Sequence, residues 1–287
     1  MNREHTQVLK MGVPKKGRLF EKTMALLEQA GLDFRRDHRS DVASCLGIPL
    51  MLVFLPAQDI PLYVGEGDVQ LGITGQDTIL ESRVKISELT SLGFGRCQLS
   101  VLVPEGKAKS VEELWDKKIV TSFPNITADY FGGQGVNISI KELSGSVEAA
   151  CALGLADAVV DLVESGETMR AANLEKIAVI IESQAVFISN AKFAGHEMAR
   201  SLKLRFEGIV TARKFVMVEY NIPREFLGKG KQITPGLKSP TVMPTEDPDW
   251  LAVKSTISRS EINQKIEALR AAGASDIMVY NIENCSV

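Results

Sequence analysis

Residues 157–170 combine the side chains and backbone features that can bind a sugar phosphate. The apolar run Ala158–Val163 predicts a buried strand that carries Asp161 near its end. A polar turn follows and opens the next predicted helix. Backbone amides exposed at a helix N-terminus, together with Ser and Thr hydroxyls, form a site suited to a phosphate. The turn consists of Glu164, Ser165, Gly166, Glu167 and Thr168.

The acidic residues beside this turn add a second kind of chemistry. Their carboxylates could hold ribose hydroxyls or a Mg²⁺ ion that arrives with the ligand. A plainer alternative is open, because Ser165 could merely cap the helix while Glu167 interacts with the helix dipole. The sequence of this turn alone does not decide between the two interpretations.

Three further turns follow predicted strands. Residues 14–18 carry Lys15 and Arg18, which could neutralise a polyphosphate, and Arg96 could add to the same cleft. Residues 74–77 end in Asp77, which could accept a hydrogen bond from a ligand amine. Residues 143–148 include Ser and Gly residues that would let a ligand approach, together with Glu148. Each turn alone also suits a helix cap or a solvated loop. Together they favour a polyanionic ligand that contains a sugar.

The elements that must position these turns alternate between apolar runs and helical patterns. Strands separated by helices predict an α/β fold with parallel pairing. Gly-Glu-Gly-Asp at 65–68 and Gly-Leu-Ala-Asp at 154–157 each precede a buried strand and a small polar turn. This repeated pattern predicts two lobes of similar architecture, with a cleft between them and ligands bound at the carboxyl ends of their strands.

The last part of the chain has a different order of elements. Residues 214–282 predict β-α-β-β-α-β, the ferredoxin-like arrangement. We therefore expect a two-lobed domain over residues 1–211, with its second lobe at about 96–182, and a smaller domain over residues 212–287. The smaller domain lacks phosphate-type turns, so we expect it to be regulatory or oligomeric.

Composition restricts the classes of function. The 287 residues include 33 basic and 36 acidic side chains, a net charge of −3, which gives no support for nucleic-acid binding. Four scattered cysteines fit reduced thiols in the cytoplasm. We expect neither a signal peptide nor a membrane span, because no apolar stretch is long enough. Three histidines without metal-ligand spacing argue against zinc hydrolysis and Ser-His-Asp catalysis.

Four segments resemble the ATP phosphoribosyltransferase family in its long form. They are Pro-Lys-Lys-Gly-Arg-Leu at 14–19, residues 65–77, residues 145–174 and Thr-Pro-Gly-Leu-Lys-Ser-Pro-Thr at 234–241. The resemblance spans essentially the whole chain. It implies a periplasmic-binding-protein-like catalytic part followed by an ACT-like domain. It also implies the joining of ATP to 5-phosphoribosyl 1-diphosphate, which gives N1-(5-phosphoribosyl)-ATP and pyrophosphate in the first step of histidine biosynthesis.

The resemblance assigns roles by motif. Residues 164–168 would cradle the 5-phosphate, Asp161 would face the ribose, and Lys15 and Arg18 would meet phosphate oxygens. The ATP side would be lined by Thr74, Gly75, Asp77, Gly145, Ser146 and Glu148. Mg²⁺ would arrive with the diphosphate substrate, and no residue of the chain is predicted as a metal ligand.

The resemblance also implies regulation and assembly. Histidine would inhibit the enzyme by feedback, and dimers would assemble into a homohexamer. Candidate residues of the histidine pocket are Asn221, Leu237, Ser239 and Thr241, which could equally be ordinary strand and turn residues.

Two rival functions stay open at this point. A two-lobed protein that binds or senses an anionic ligand without catalysis would share the lobes, the cleft and the anion-binding turns. A phosphoribosyltransferase that acts on a free base is the second rival.

Overall fold

The computed structural model describes residues 8–36, 40–143, 145, 147 and 149–285. The chain divides into two compact units, Met1–Lys203 and Leu204–Val287. Within the described residues, no helix is both long enough and apolar enough to cross a membrane.

Both units contain strands and helices. The strands are β1 (Leu9–Pro14), β2 (Phe34–Arg35), β3 (Val42–Cys45), β4 (Leu50–Leu55), β5 (Leu71–Gly75), β6 (Ser87–Ser91), β7 (Cys97–Pro104), β8 (Lys117–Thr121), β9 (Ile138–Glu142), β10 (Ala158–Val163), β11 (Leu174–Ser183), β12 (Ala185–Ser189), β13 (Phe215–Pro223), β14 (Thr241–Pro244), β15 (Trp250–Ser258) and β16 (Ser275–Asn281). The α-helices are α1 (Phe20–Gln29), α2 (Ile60–Glu66), α3 (Gln76–Ser82), α4 (Pro124–Gly133), α5 (Ala149–Ala152), α6 (Glu167–Ala171), α7 (Glu197–Ala212), α8 (Leu227–Ile233) and α9 (Ile262–Ala271).

The first unit contains two sheets, one for each lobe. The first sheet has the strand order β2-β3-β4-β1-β5-β12-β6, and the second has the order β11-β7-β10-β8-β9. The chain crosses between the sheets twice, at residues 92–96 and again at Gln184. The two crossings bring residues that are far apart in sequence to the junction of the lobes.

Strand pairing in both sheets is mixed, which corrects the expectation of parallel sheets. β1 pairs in parallel with β4 and β5, and β8 pairs in parallel with β9 and β10. β12 pairs antiparallel with β5 because it returns directly from the second sheet, and β7 runs antiparallel to β10 and β11. Local apolar patterns show that strands exist but do not encode the direction of their partners.

Burial explains the strongest strand predictions. Every residue of β5 is buried, as expected where a sheet is covered on both faces. The second lobe packs its own core around β7, β8 and β10, including Leu99, Val101 and Phe131. Strands β2, β3, β6 and β12 were not predicted, since the first three are short or polar and β12 follows a long apolar strand after a single residue.

The second unit is a four-stranded antiparallel sheet in the order β14-β15-β13-β16. Along the chain its elements run β13, α8, β14, β15, α9 and β16, which confirms the ferredoxin-like order. Alternate residues of β13 and β15 are buried, among them Val218, Tyr220 and Val253, and they form this unit's core with Leu269 of α9.

Candidate active site

Two adjoining cavities lie between the lobes of the first unit, with volumes of about 740 and 320 Å³. Both are lined by Cys97, Met169 and residues 163–166. The first lobe contributes Gln76 to the larger cavity and Arg18 to the smaller one. The predicted cleft is therefore present, and it is centred on the predicted phosphate turn.

The turn at residues 164–168 faces the smaller cavity with all five of its residues. Gly166 adopts a φ of +75°, which an L side chain would strain, and a Cβ here would lie 2.9 Å from Nη1 of Arg170. The amide of Glu167 donates to Ser165 Oγ only at 3.4 Å, a long contact for a cap. Since α6 has only five residues, the amides and hydroxyls of the turn matter more here than a helix dipole.

Asp161 lies on the wall of the same cavity. It is half-buried near the end of β10, and its Oδ1 accepts a hydrogen bond from the amide of Leu162 at 2.7 Å. Lys22 of α1 approaches the turn from the first lobe, where its Nζ lies 3.4 Å from Oε1 of Glu164. Sequence reasoning did not identify Lys22.

The predicted cationic loop separates into two environments. Arg18 lines the smaller cavity, donates from Nη1 to the Gly95 carbonyl at 2.6 Å, and pairs through Nη2 with Asp77 Oδ1 at 3.1 Å. Lys15 lies outside the lining of both cavities and pairs with Asp41 Oδ1 at 2.7 Å. Of the cationic residues in this loop, only Arg18 lines the cleft.

The residues predicted for the ATP side fall into three groups. Thr74, Gly75 and Asp77 are buried, and the Thr74 hydroxyl bonds to Ala57 and Thr78. Gly145 is exposed with a φ of +84°. The other two predicted residues, Ser146 and Glu148, lie outside the described residues.

Several residues that line the larger cavity had no signal in the sequence. Lys176 donates from Nζ to Oε1 of Gln98 at 2.8 Å, and Arg170 also lines this space. Cys97 also lines it, and burial raises the pKa of this thiol to about 11, further from neutral pH than the pKa of an exposed thiol. Within the described residues, no group of three or more His, Cys, Asp or Glu side chains is arranged to hold a metal ion.

The candidate histidine-pocket residues lie in the second unit. Asn221 of β13 donates to Asp276 Oδ2 at 3.1 Å. Thr241 opens β14 and is exposed, as are Leu237 and Ser239 in the preceding loop. Both β13 and β14 pair with β15, and the register places Asn221 and Thr241 on the same face of the sheet.

Known proteins resemble this chain over its whole length. A family model described as ATP phosphoribosyltransferase matches residues 56–208, and one described as HisG, C-terminal domain, matches residues 212–284. ATP phosphoribosyltransferases from Yarrowia lipolytica and Saccharomyces cerevisiae are 46% and 44% identical to it. The alignment covers 97% of both chains in the first case and 98% in the second.

Solved structures agree with this relationship. A chain from the ATP phosphoribosyl transferase (HisG:HisZ) complex of Thermotoga maritima matches with a TM-score of 0.62 and 28% identity, covering 69% of this chain and 98% of that one. A chain described as an L-cystine ABC transporter from Listeria monocytogenes has a TM-score of 0.51 at 12% identity, covers 70% of this chain and 89% of that one, and shows the shared two-lobed fold alone. The periplasmic-binding-protein-like fold expected for the first unit is thereby confirmed, and the chain belongs to the ATP phosphoribosyltransferase family.

Proposed function

We propose that the two cavities between the lobes bind the two substrates of the family's reaction side by side. That reaction joins ATP to 5-phosphoribosyl 1-diphosphate in the first step of histidine biosynthesis. The observation that carries the assignment is the exposure of residues 164–168 to the smaller cavity, opposite Arg18 of the other lobe. This cavity would hold the phosphoribosyl group and the larger one the adenine nucleotide.

The 164–168 turn would bind the 5-phosphate through its amides and the hydroxyls of Ser165 and Thr168. Gly166 lets the backbone approach the phosphate, and Arg18 offers a planar set of N–H donors from the opposite side. Asp161 would accept hydrogen bonds from the ribose hydroxyls. Lys15 would reach a phosphate only if its exposed ion pair with Asp41 opened, and such exposed pairs cost little to break.

The buried residues predicted for the ATP side would act by shaping the cavity. Thr74, Gly75 and Asp77 would shape the wall from which Gln76 faces the larger cavity, and Gly145, Ser146 and Glu148 would complete the adenine-nucleotide site. Arg96, Arg170 and Lys176 line this cavity as well and suit the charge of a triphosphate.

The reaction requires mainly that the two substrates be aligned. Nitrogen N1 of adenine already has a lone pair, so no strong base is needed to start its attack on the anomeric carbon of the ribose. The protein must hold two polyanions in line and stabilise an oxocarbenium-like state while pyrophosphate departs. Mg²⁺ would enter with the diphosphate, and the carboxylates of Asp161 and Glu164 provide oxygen atoms of the kind that it prefers.

Regulation, assembly and location complete the proposal. Residues 1–211 would form the catalytic domain and residues 212–287 a regulatory domain, where histidine would bind at Asn221, Leu237, Ser239 and Thr241. Dimers would assemble into a hexamer in the cytoplasm.

A pyrophosphate-release assay tests the catalytic assignment. With ATP, phosphoribosyl diphosphate and Mg²⁺ present, we expect pyrophosphate together with a new ultraviolet-absorbing nucleotide, and less of both when histidine is added. Binding of both substrates without release would instead support a sensor. Inhibition by simple purine bases in competition with ATP would support an enzyme that acts on free bases.

A further inference from the structure

We propose that Ser183 is a positioning residue that orients Arg18 through Asp77, a role that rests on the proposed contact of Arg18 with the phosphoribosyl donor. Ser183 is the last residue of β11, at the second crossing between the lobes. The residue is 4% exposed, and although it borders the larger cavity, its hydroxyl is hydrogen-bonded to Asp77. Neither composition nor a local motif marks it.

The Ser183 hydroxyl fixes Asp77 from two directions. It donates to Asp77 Oδ1 at 2.5 Å and accepts from the Asp77 amide at 3.0 Å. These two bonds hold both the backbone and the carboxylate of a residue that is 1% exposed. A carboxylate buried this deeply needs such partners, because an unpaired buried charge is costly.

Asp77 in turn fixes the guanidinium of Arg18. Nη2 of Arg18 lies 3.1 and 3.3 Å from the two carboxylate oxygens, while Nη1 donates to the Gly95 carbonyl. Gly95 belongs to the first crossing between the lobes, so the chain of bonds from Ser183 to Gly95 joins both crossings. The Arg18 side chain keeps 24% exposure and lines the smaller cavity.

Two glycines make the niche for this arrangement. A Cβ on Gly75 would collide with the Asp77 carboxylate and would lie 3.3 Å from Arg18 Nη2. A Cβ on Gly95 would collide with Leu19 and would lie 3.2 Å from Arg18 Nη1. A side chain at either glycine would therefore crowd the guanidinium, and the Ser183 hydroxyl holds the carboxylate that anchors it.

Ser183→Ala removes the hydroxyl without changing the identity of Asp77 or Arg18. We expect the KM and the dissociation constant for Mg²⁺-phosphoribosyl diphosphate to rise about tenfold, as for a lost hydrogen bond to a charged group, and the KM for ATP to stay within about twofold. Ser183→Thr retains a hydroxyl and should restore most of the binding.

Ser189→Ala is the matched control. Ser189 is also fully buried at the end of a strand, but its hydroxyl has no hydrogen-bond partner among the described residues. Its removal should leave both constants unchanged, which separates loss of a buried hydroxyl from loss of this particular chain of bonds. Melting temperatures and circular dichroism of all variants show whether each has folded.

Combined variants test whether Ser183 affects donor binding through Asp77 and Arg18. Arg18→Gln should weaken donor binding, and adding Ser183→Ala to it should cost less than about twofold more. A full tenfold further loss would overturn the inference, as would normal donor binding in Ser183→Ala. Asp77→Asn tests the middle of this series of hydrogen bonds. Adding Ser183→Ala to Asp77→Asn should likewise weaken donor binding by less than about twofold more. If Arg18→Gln alone binds the donor normally, the proposed role of Arg18 fails and the inference fails with it.

Discussion

At the scale of single residues, Gly166 has a backbone conformation that favours glycine and also lies in the proposed phosphate-binding turn. Its φ of +75° disfavours any L side chain, and a Cβ would approach the flexible end of Arg170 at 2.9 Å. Gly166→Ala should therefore strain the 164–168 turn and raise the KM for phosphoribosyl diphosphate by about tenfold, with a smaller change in the KM for ATP. Steady-state kinetics with each substrate varied in turn measures this difference.

Gly154→Ala supplies the control for this variant. Gly154 has a φ of +66° and open space around its Cα, so alanine there brings a similar backbone strain away from the cavity lining. Equal changes in donor KM for the two variants would show that strain alone is being measured and would remove the phosphate assignment from the turn.

At the scale of elements, the start of α4 in the second lobe is bonded to the end of α3 in the first. The Glu81 carboxylate accepts from the amides of Asn125 and Ile126 at 2.9 and 3.0 Å, so a side chain from one lobe caps a helix of the other. The nearby ion pair between Arg83 and Asp129 is exposed and adds little. Glu81 is thus the main polar link at this junction of helices.

Glu81→Ala should lower the free energy of unfolding by about 1–2 kcal/mol, the usual cost of losing a helix cap. For a unit of this size the melting temperature should fall by about 2–8 °C. Because the contact joins the lobes, kcat/KM should fall about twofold to fivefold for both substrates, whereas the effects at Gly166 and Ser183 should fall mainly on the donor. Glu28→Ala, at an exposed position of α1, is the control. Unchanged melting in Glu81→Ala would show that the cap contributes nothing.

The same scale explains what the sequence could and could not predict. The 164–168 turn was identifiable because its strand, glycine and hydroxyls are contiguous. β4 was identifiable because its residues form a continuous apolar run, and β10 because only Asp161 interrupts its apolar residues. The partnership of Ser183 with Asp77 was not, since 106 residues separate them and only the two lobe crossings bring them together. The sequence Ser-Glu-Leu-Thr-Ser of β6 likewise lacks an apolar pattern.

At the scale of the whole molecule, the two units have different proposed roles. Every residue that lines the two cavities belongs to the first unit, whereas the candidate effector residues belong to the second. An effector that binds the second unit can change catalysis only by binding more tightly to one functional state of the enzyme than to another. Variants at the effector residues should therefore alter inhibition while leaving uninhibited turnover intact.

Ser239→Ala combined with Thr241→Val tests this division in the full chain. Both side chains are exposed, so their loss should barely affect folding, and the uninhibited kcat and KM values should stay within about twofold. If their hydroxyls bind histidine, losing two hydrogen bonds of about 1 kcal/mol each should raise the inhibitory concentration about thirtyfold. Lys231→Ala, at an exposed residue of α8, is the control. Histidine inhibition at the original concentration in the double variant would place the effector site elsewhere, because neither hydroxyl could then contribute to binding.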